Sequence, residues 1–187
     1  MTKGIGGHAR AYQGRTDEWL TPPEIIQALT KEPYGLFDLD PCAPISRPWP
    51  TAKKHYTYDD DGLIESWYGR VWLNPPYGPQ TEEWLERMSC HNFGIALIFA
   101  RTETAMFFKH VWNHAMAVLF IEGRLHFHTI DGQRSPNNAG GPSVLIAYGE
   151  LNAHCLEHSG IAGKFIRLKP RSKDDLRIPM YEPGQIV

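Results

Sequence analysis

The sequence predicts an α/β fold built on a doubly wound, mostly parallel sheet. Short apolar segments at 71–73, 93–100 and 117–121 are typical of strands buried on both faces. Two segments with helical spacing of their apolar residues, at 81–88 and 102–113, separate them. Strands that alternate with helices in this way form sheets with helices packed on their faces. The 187 residues are enough for one domain with a buried core.

The composition is that of a globular protein, and it argues against a membrane protein or a disulfide framework. Hydrophobic residues make up 42% of the chain and charged residues 21%. No apolar run is long enough to cross a membrane, and the N-terminus lacks the apolar core of a signal peptide. The three cysteines are widely spaced, which favours a reduced, cytoplasmic protein. His110 with His114, and Cys155 with His158, lack further partners at ligand spacing, so we expect no metal.

Charge is distributed unevenly along the chain. The formal net charge is -2, but the stretch 164–177 carries six cations against two acids, a balance of +4 that leaves -6 for the remainder. A basic end on an acidic body favours contact with a phosphate backbone, and Lys164 and Arg167 are the candidates for that contact. A solvated end without a partner is the alternative.

The N-terminal third predicts a helix, a strand and two loops. Residues 1–14 are rich in glycine and are predicted to be flexible. Thr21 is a predicted N-cap, with Pro22 in the first helical position and Glu24 completing a capping box, for a helix that runs to residue 29. A predicted strand over 36–40 then leads into a loop that begins with Asp-Pro.

A proline-rich loop follows the first predicted strand. Residues 44–50 are rich in proline and contain no glycine. An aromatic, β-favouring run follows at 55–58, and the three acids at 59–61 predict a turn.

The central feature of the sequence is the turn that follows the strand at 71–73. That strand must stop at Asn74, because Pro75 and Pro76 donate no backbone N–H to a sheet. Each proline also biases the residue before it towards an extended conformation. The result is a stiff turn at the carboxyl end of a buried strand, where open α/β sheets place their ligands. The alternative interpretation is a purely structural proline turn with no ligand.

The last predicted elements are two strands joined by a long polar loop. Residues 124–128 alternate in polarity and 143–148 are apolar, so both are predicted strands. The loop over 129–142 is rich in Gly, Asn and Pro. A loop of this length favours a functional role.

Asn74-Pro75-Pro76-Tyr77 resembles the Asn-Pro-Pro-Tyr motif of S-adenosylmethionine-dependent amino-methyltransferases. Together with Thr21-Pro22-Pro23 and Asp40-Pro41-Cys42-Ala43, in this order and spacing, the stretch 17–148 resembles the compact adenine-N6 DNA methyltransferases of bacteriophages and prophages. The resemblance implies a compact, Rossmann-like class I methyltransferase sheet, in which the strands at 124–128 and 143–148 form a terminal antiparallel hairpin. It also implies methyl transfer from S-adenosylmethionine to adenine N6 in double-stranded DNA. It also implies a cytoplasmic enzyme of a bacterial host cell.

The resemblance also implies roles for individual residues. The exocyclic amine would dock against the Asn74 oxygen and the carbonyl of the first proline, and an aromatic ring would stack on the extruded base. The implied catalytic residues are Asn74, Pro75, Pro76 and Tyr77. The implied cofactor-binding residues are Thr21, Asp40, Pro41, Cys42, Ala43 and, among the acids at 59–61, Asp61. Tyr77 and Phe127 are the implied base-stacking rings, although a core position is the alternative for Phe127.

Two other functions fit the same motifs. The first is Asn-Pro-Pro-Tyr chemistry on a protein glutamine or on RNA. The second is a non-catalytic DNA-binding relic, which the missing Gly-x-Gly turn after Asp40 would favour. We expect a methyltransferase domain over 15–150 and a basic C-terminal extension over 151–187; the sequence does not indicate an oligomeric state.

Overall fold

The structure is a computed structural model that describes residues 19–169. The predicted flexible segment 1–14 and the basic stretch beyond residue 169 lie outside the described residues. Within 19–169 the strands are β1 (Phe37–Asp40), β2 (Ala52–His55), β3 (Val71–Leu73), β4 (Gly94–Phe99), β5 (Ala117–Ile121), β6 (Ser143–Tyr148) and β7 (Gly163–Arg167). The helices are α1 (Pro23–Leu29), α2 (Thr81–His91), α3 (Ala105–Phe107), which continues as a π-helix (Phe108–Trp112), and α4 (Glu150–Glu157).

The described strands form one mixed sheet in the order β2-β1-β3-β4-β6-β5-β7. The pairs β1–β2, β1–β3 and β3–β4 are parallel, and β6 is antiparallel to both β4 and β5. β7 is antiparallel to β5, so β6 and β7 are the two reversed strands. The carboxyl ends of β1, β3 and β4 therefore meet at one edge of the sheet. The predicted α/β class is confirmed.

Helices cover both faces of this sheet because its central strands are apolar on both faces. Trp72 packs with Ile25 and Leu29 of α1 and with residues of α4 on one side. Leu73 packs with α2 and with the π-helix on the other. All three residues of β3 have no solvent exposure, as expected for a strand buried on both faces.

A buried arginine anchors the start of β3. The Arg70 guanidinium donates to the carbonyls of Leu29 and Gly35, both at 3.0 Å, and to Asn152 Oδ1 at 2.8 Å. These bonds join the end of α1, the entry to β1 and α4 to the strand that carries the central turn. The turn therefore starts from a rigid base.

The predicted start of α1 is wrong by one residue. The helix begins at Pro23, and Pro22, the cap residue, makes no side-chain capping bond and is extended, with φ -52° and ψ 131°. The physical reason is the second proline: Pro23 excludes the helical conformation from the residue before it. Thr21 is therefore not the N-cap.

The predicted terminal hairpin is also wrong. Among residues 124–128 only His128 makes β-bridges, to Leu20 and to Arg134, and β6 lies between β4 and β5 instead. Every residue of β6 is buried, so this strand requires neighbours on both edges and cover on both faces. A polar, alternating segment at 124–128 cannot supply that environment.

The second half of the chain shows two further differences. The helix predicted over 102–113 begins at Ala105, and its cap residue Thr104 accepts a hydrogen bond from Phe107 N at 3.3 Å. From residue 150 onward the chain forms α4, which packs on this sheet, and β7, which joins it. The division into a domain over 15–150 and an extension over 151–187 stays a prediction.

Candidate active site

Asn74 follows β3 directly, and its neighbours fix its orientation. Its Nδ2 donates to the Trp19 carbonyl at 3.4 Å, and its own carbonyl accepts from the Cys42 thiol at 3.2 Å. Burial, and then the Asp40 carboxylate, raise the pKa of Cys42, so this thiol keeps the proton that it donates. The Asn74 Oδ1 atom is shielded from solvent and accepts no hydrogen bond from any residue within 19–169. A carboxamide oxygen is thus left without a partner at the edge of the site.

The two prolines after Asn74 lead into α2 through a clamped turn. The Thr81 hydroxyl donates to the Pro76 carbonyl at 2.9 Å and accepts from Gly78 N at 3.0 Å. Because Thr81 is the first residue of α2, these two bonds fix the turn to the helix. Pro75 is buried and Pro76 is exposed.

Tyr77 lies at the mouth of the site and contacts two other aromatic rings. Its ring stacks on Phe99 with centroids 4.2 Å apart and an interplanar angle of 18°. Phe127 meets it edge-on at 6.4 Å and 72°. Tyr77 is 37% exposed, yet burial raises the pKa of its hydroxyl, with the Cys42 thiol adding to the rise. The Tyr77 hydroxyl therefore stays neutral.

A cleft of about 430 Å³ opens beside this turn. Its walls are the turn itself, the loop after β1 and the loop after β2. Of the residues predicted for the site, it brings together Pro41, Cys42, Ala43, Asp61, Asn74, Pro75, Pro76 and Tyr77. Its size is within the usual range for a small-molecule site.

Asp40 lies behind this cleft rather than in its wall. It is 3% exposed, and it accepts hydrogen bonds from the Thr51 hydroxyl and from Cys42 N, the latter at 3.1 Å. Burial raises its pKa to about 6, against these two bonds and the Arg47 charge, which lower it. Asp40 and Thr21 both line a smaller pocket that adjoins the cleft. Asp40 therefore supports the backbone of the loop 41–43 from behind.

The geometry distinguishes the three acids at 59–61. Asp61 lines the cleft, whereas Asp60 accepts from Thr57 N at 2.8 Å and has no place in its wall. Asp61 has a left-handed backbone with φ 54°, and a Cβ on the next residue, Gly62, would overlap the Pro41 carbonyl. The loop after β2 is therefore held tightly against the loop after β1.

The two basic residues proposed for DNA lie elsewhere on the sheet. Lys164 pairs with Phe120 near the carboxyl end of β5, at the same edge as the site. It is four strand spacings from β3, roughly 19 Å at 4.8 Å per spacing. Arg167 pairs with Ala117 at the opposite edge and forms a two-point ion pair with Glu150. Both residues therefore lie apart from the turn 74–77. Their contact with DNA stays a prediction.

Several residues at the site were not predicted from the sequence, among them three aromatic ones. Trp84 and Tyr58 line the cleft, and Tyr58 is 89% exposed. Trp84 was assigned to the apolar face of a helix, which it also occupies. Phe99 was assigned to a buried strand, although its place as the last residue of β4 put it at the ligand-binding edge.

Fold and site together define an α/β protein with a ligand cleft at the carboxyl edge of its sheet. The family model of DNA N-6-adenine-methyltransferase (Dam) matches residues 9–164. The chain belongs to this family and is a DNA adenine methyltransferase, which confirms the predicted enzyme class and substrate. No curated protein and no solved structure matches the chain significantly.

Two further features concern the described residues alone. Within 19–169 no group of three or more His, Cys, Asp or Glu side chains could hold a metal ion. No helix in that range is long and apolar enough to span a membrane.

Proposed function

We propose that the 430 Å³ cleft binds S-adenosylmethionine and that an adenine extruded from double-stranded DNA docks at the turn 74–77. The observation that carries this proposal is the Asn74 Oδ1 atom, which is shielded from water and has no partner among the described residues. An unsatisfied buried acceptor costs about 1–3 kcal/mol. An adenine amine that donates to it would remove that cost.

The turn would then make the N6 nitrogen of the adenine more nucleophilic. Asn74 Oδ1 accepts one hydrogen of the N6 amine, and the carbonyl of Pro75 accepts the other. Two acceptors on these hydrogens favour a pyramidal nitrogen, whose lone pair is otherwise delocalised into the adenine ring. Because the turn is clamped at Thr81, these acceptors need no reorganisation as the amine reacts. When bound, the cofactor supplies an electrophilic methyl group.

The loop 40–43 would hold the methionine part of the cofactor and Asp61 its ribose or adenine. The residues fit such a ligand, since Pro41, Cys42, Ala43 and Asp61 share one cleft of suitable size. No Gly-rich turn is needed for this, because Asp40 already fixes the loop through Cys42 N. Thr21 would act beside Asp40, from the adjoining pocket.

Further proposals concern the type of sheet, the origin of the enzyme and the role of Phe127. The strand order, with β6 reversed between β4 and β5, is compatible with the Rossmann-like class I methyltransferase sheet that we propose. We also propose a phage- or prophage-encoded enzyme that works in the bacterial cytoplasm, where its DNA substrate lies. Phe127 is 6% exposed and belongs to the apolar core, so we propose that it supports Tyr77 edge-on rather than stacking on the base.

One labelling experiment tests this function. The protein is incubated with methyl-labelled S-adenosylmethionine and a mixture of bacterial DNA, RNA and protein, and mass spectrometry identifies the labelled residue. We expect label on adenine N6 of DNA, and none with the Asn74→Ala variant. Label on RNA or protein alone, or no labelling by the wild-type protein, would overturn the proposal.

A further inference from the structure

The aromatic ring that would stack on the substrate base is itself supported by another ring. Phe99 is the last residue of β4, and Tyr77 lies four residues beyond the end of the neighbouring strand β3. Their rings are nearly parallel at a centroid distance of 4.2 Å. One face of Tyr77 is therefore covered by protein before any substrate binds.

Phe99 is held in place by the strand next to it. It pairs with Ser143 of β6, and the next residue, Ala100, donates to the Pro142 carbonyl at 2.8 Å. A Cβ added to Gly141 would lie 3.2 Å from a Phe99 ring carbon, so the backbone of Gly141 lies directly against that ring. The glycine, Phe99 and Tyr77 form a supported stack.

We propose that Phe99 is a positioning residue that holds the plane of Tyr77, so that the extruded adenine stacks on the opposite face of the Tyr77 ring. The inference rests on the proposed function and adds a residue to it. With one ring face on Phe99, Tyr77 still keeps 37% of its surface exposed, and it lines the cleft. Without Phe99 the Tyr77 ring would rotate, and the extruded adenine would have no fixed ring on which to stack.

The test uses base extrusion as its readout. The probe is a duplex that the wild-type protein methylates, with 2-aminopurine in place of the methylated adenine, because its emission rises when it leaves the base stack. Phe99→Leu should lower the emission rise, and raise KM for DNA, about two- to tenfold, the size of a lost aromatic pair. Affinity for S-adenosylmethionine should stay unchanged, and Phe99→Tyr should restore the wild-type signal.

Phe107→Leu is the matched control. Phe107 is a fully buried ring that packs on Trp112 at 4.9 Å, away from the cleft, so it reports the general cost of losing a core phenylalanine. It should lower stability without changing the 2-aminopurine signal.

A second variant leaves Phe99 in place. Gly141→Ala adds a methyl group against the Phe99 ring and should shift the signal in the same direction by a smaller factor, with the protein folded. Base extrusion and KM that match wild type in both Phe99→Leu and Gly141→Ala would overturn the inference. Failure of the wild-type protein to methylate any DNA would instead overturn the proposed function, so the two failures are distinguishable.

Discussion

Asp40 ends β1 and Asn74 directly follows its parallel neighbour β3, yet the polar atoms of the two side chains differ in how far the protein satisfies them. Asp40 is almost fully buried and accepts hydrogen bonds from Thr51 and Cys42. Asn74 is fixed through its Nδ2 and its carbonyl, while its Oδ1 has no partner among the described residues. A polar atom that its own protein satisfies supports structure, and one that is left unsatisfied is available to a ligand.

The largest effect should come from removing the unsatisfied oxygen. Asn74→Ala should lower the rate of methyl transfer by a factor of about 100 to 1,000, the cost of losing one preorganised polar group, with little change in cofactor affinity. Asn74→Asp keeps an acceptor and should retain more activity. Single-turnover transfer at saturating cofactor measures both. A near wild-type rate for the alanine variant would mean that Asn74 only ends the strand. The functional contrast between Asn74 and Asp40 would then be wrong.

Asp40 should instead determine how stability depends on pH. Its pKa is about 6 in the folded protein and 3.8 when unperturbed, so the folded state binds its proton more tightly. Asp40 therefore favours folding most below pH 4, and this contribution is lost as the pH rises from about 4 to about 6. The loss is on the order of 3 kcal/mol.

Asp40→Asn should flatten that slope, because the amide has no proton to lose. Urea unfolding of both proteins at a series of pH values measures the free energy of unfolding. A slope between pH 4 and pH 6 that the variant keeps in full would mean that another group causes it. Asp40→Ala, which loses the bond to Cys42 N, should in addition weaken cofactor binding.

Within the acidic turn, only Asp61 should bind the cofactor. Asp61→Asn should lower affinity for S-adenosylmethionine about 10- to 150-fold, as for one hydrogen bond to a charged group, and asparagine tolerates the left-handed backbone at this position. Asp59→Asn, an exposed neighbour outside the cleft, is the matched control. Titration calorimetry compares them. Equal affinities of the two variants would remove Asp61 from the site.

The smallest effect on function is expected at the two basic residues of β7, where Lys164 and Arg167 should behave differently. Lys164→Ala should reduce the slope of log K against log salt for DNA binding by about 0.9, the value for one phosphate contact. Arg167→Ala should leave that slope unchanged and lower the free energy of unfolding by on the order of 1–3 kcal/mol, because it breaks the pair with Glu150. Identical salt slopes for wild type and Lys164→Ala would show that Lys164 is only solvated.

The central turn is the part of the site that could be predicted most completely from residues. An apolar run that ends in Asn-Pro-Pro can only be a strand followed by a stiff turn, because the prolines restrict the backbone without help from distant residues. The loop after β1 was predicted in the same way. The start of α1 was missed because the effect of Pro23 on Pro22 outweighed a recognisable capping pattern.

The sequence by itself therefore determined the α/β class, the position of β3 and the chemical groups of the turn, all of which depend on neighbouring residues. Only the tertiary structure decided that β6 lies between β4 and β5, that Asp40 is buried behind the cleft, and that Phe99 stacks on Tyr77. Each of these depends on which strands lie side by side. Apolar strands are nearly interchangeable in sequence, and the packing of the whole core selects one arrangement among them.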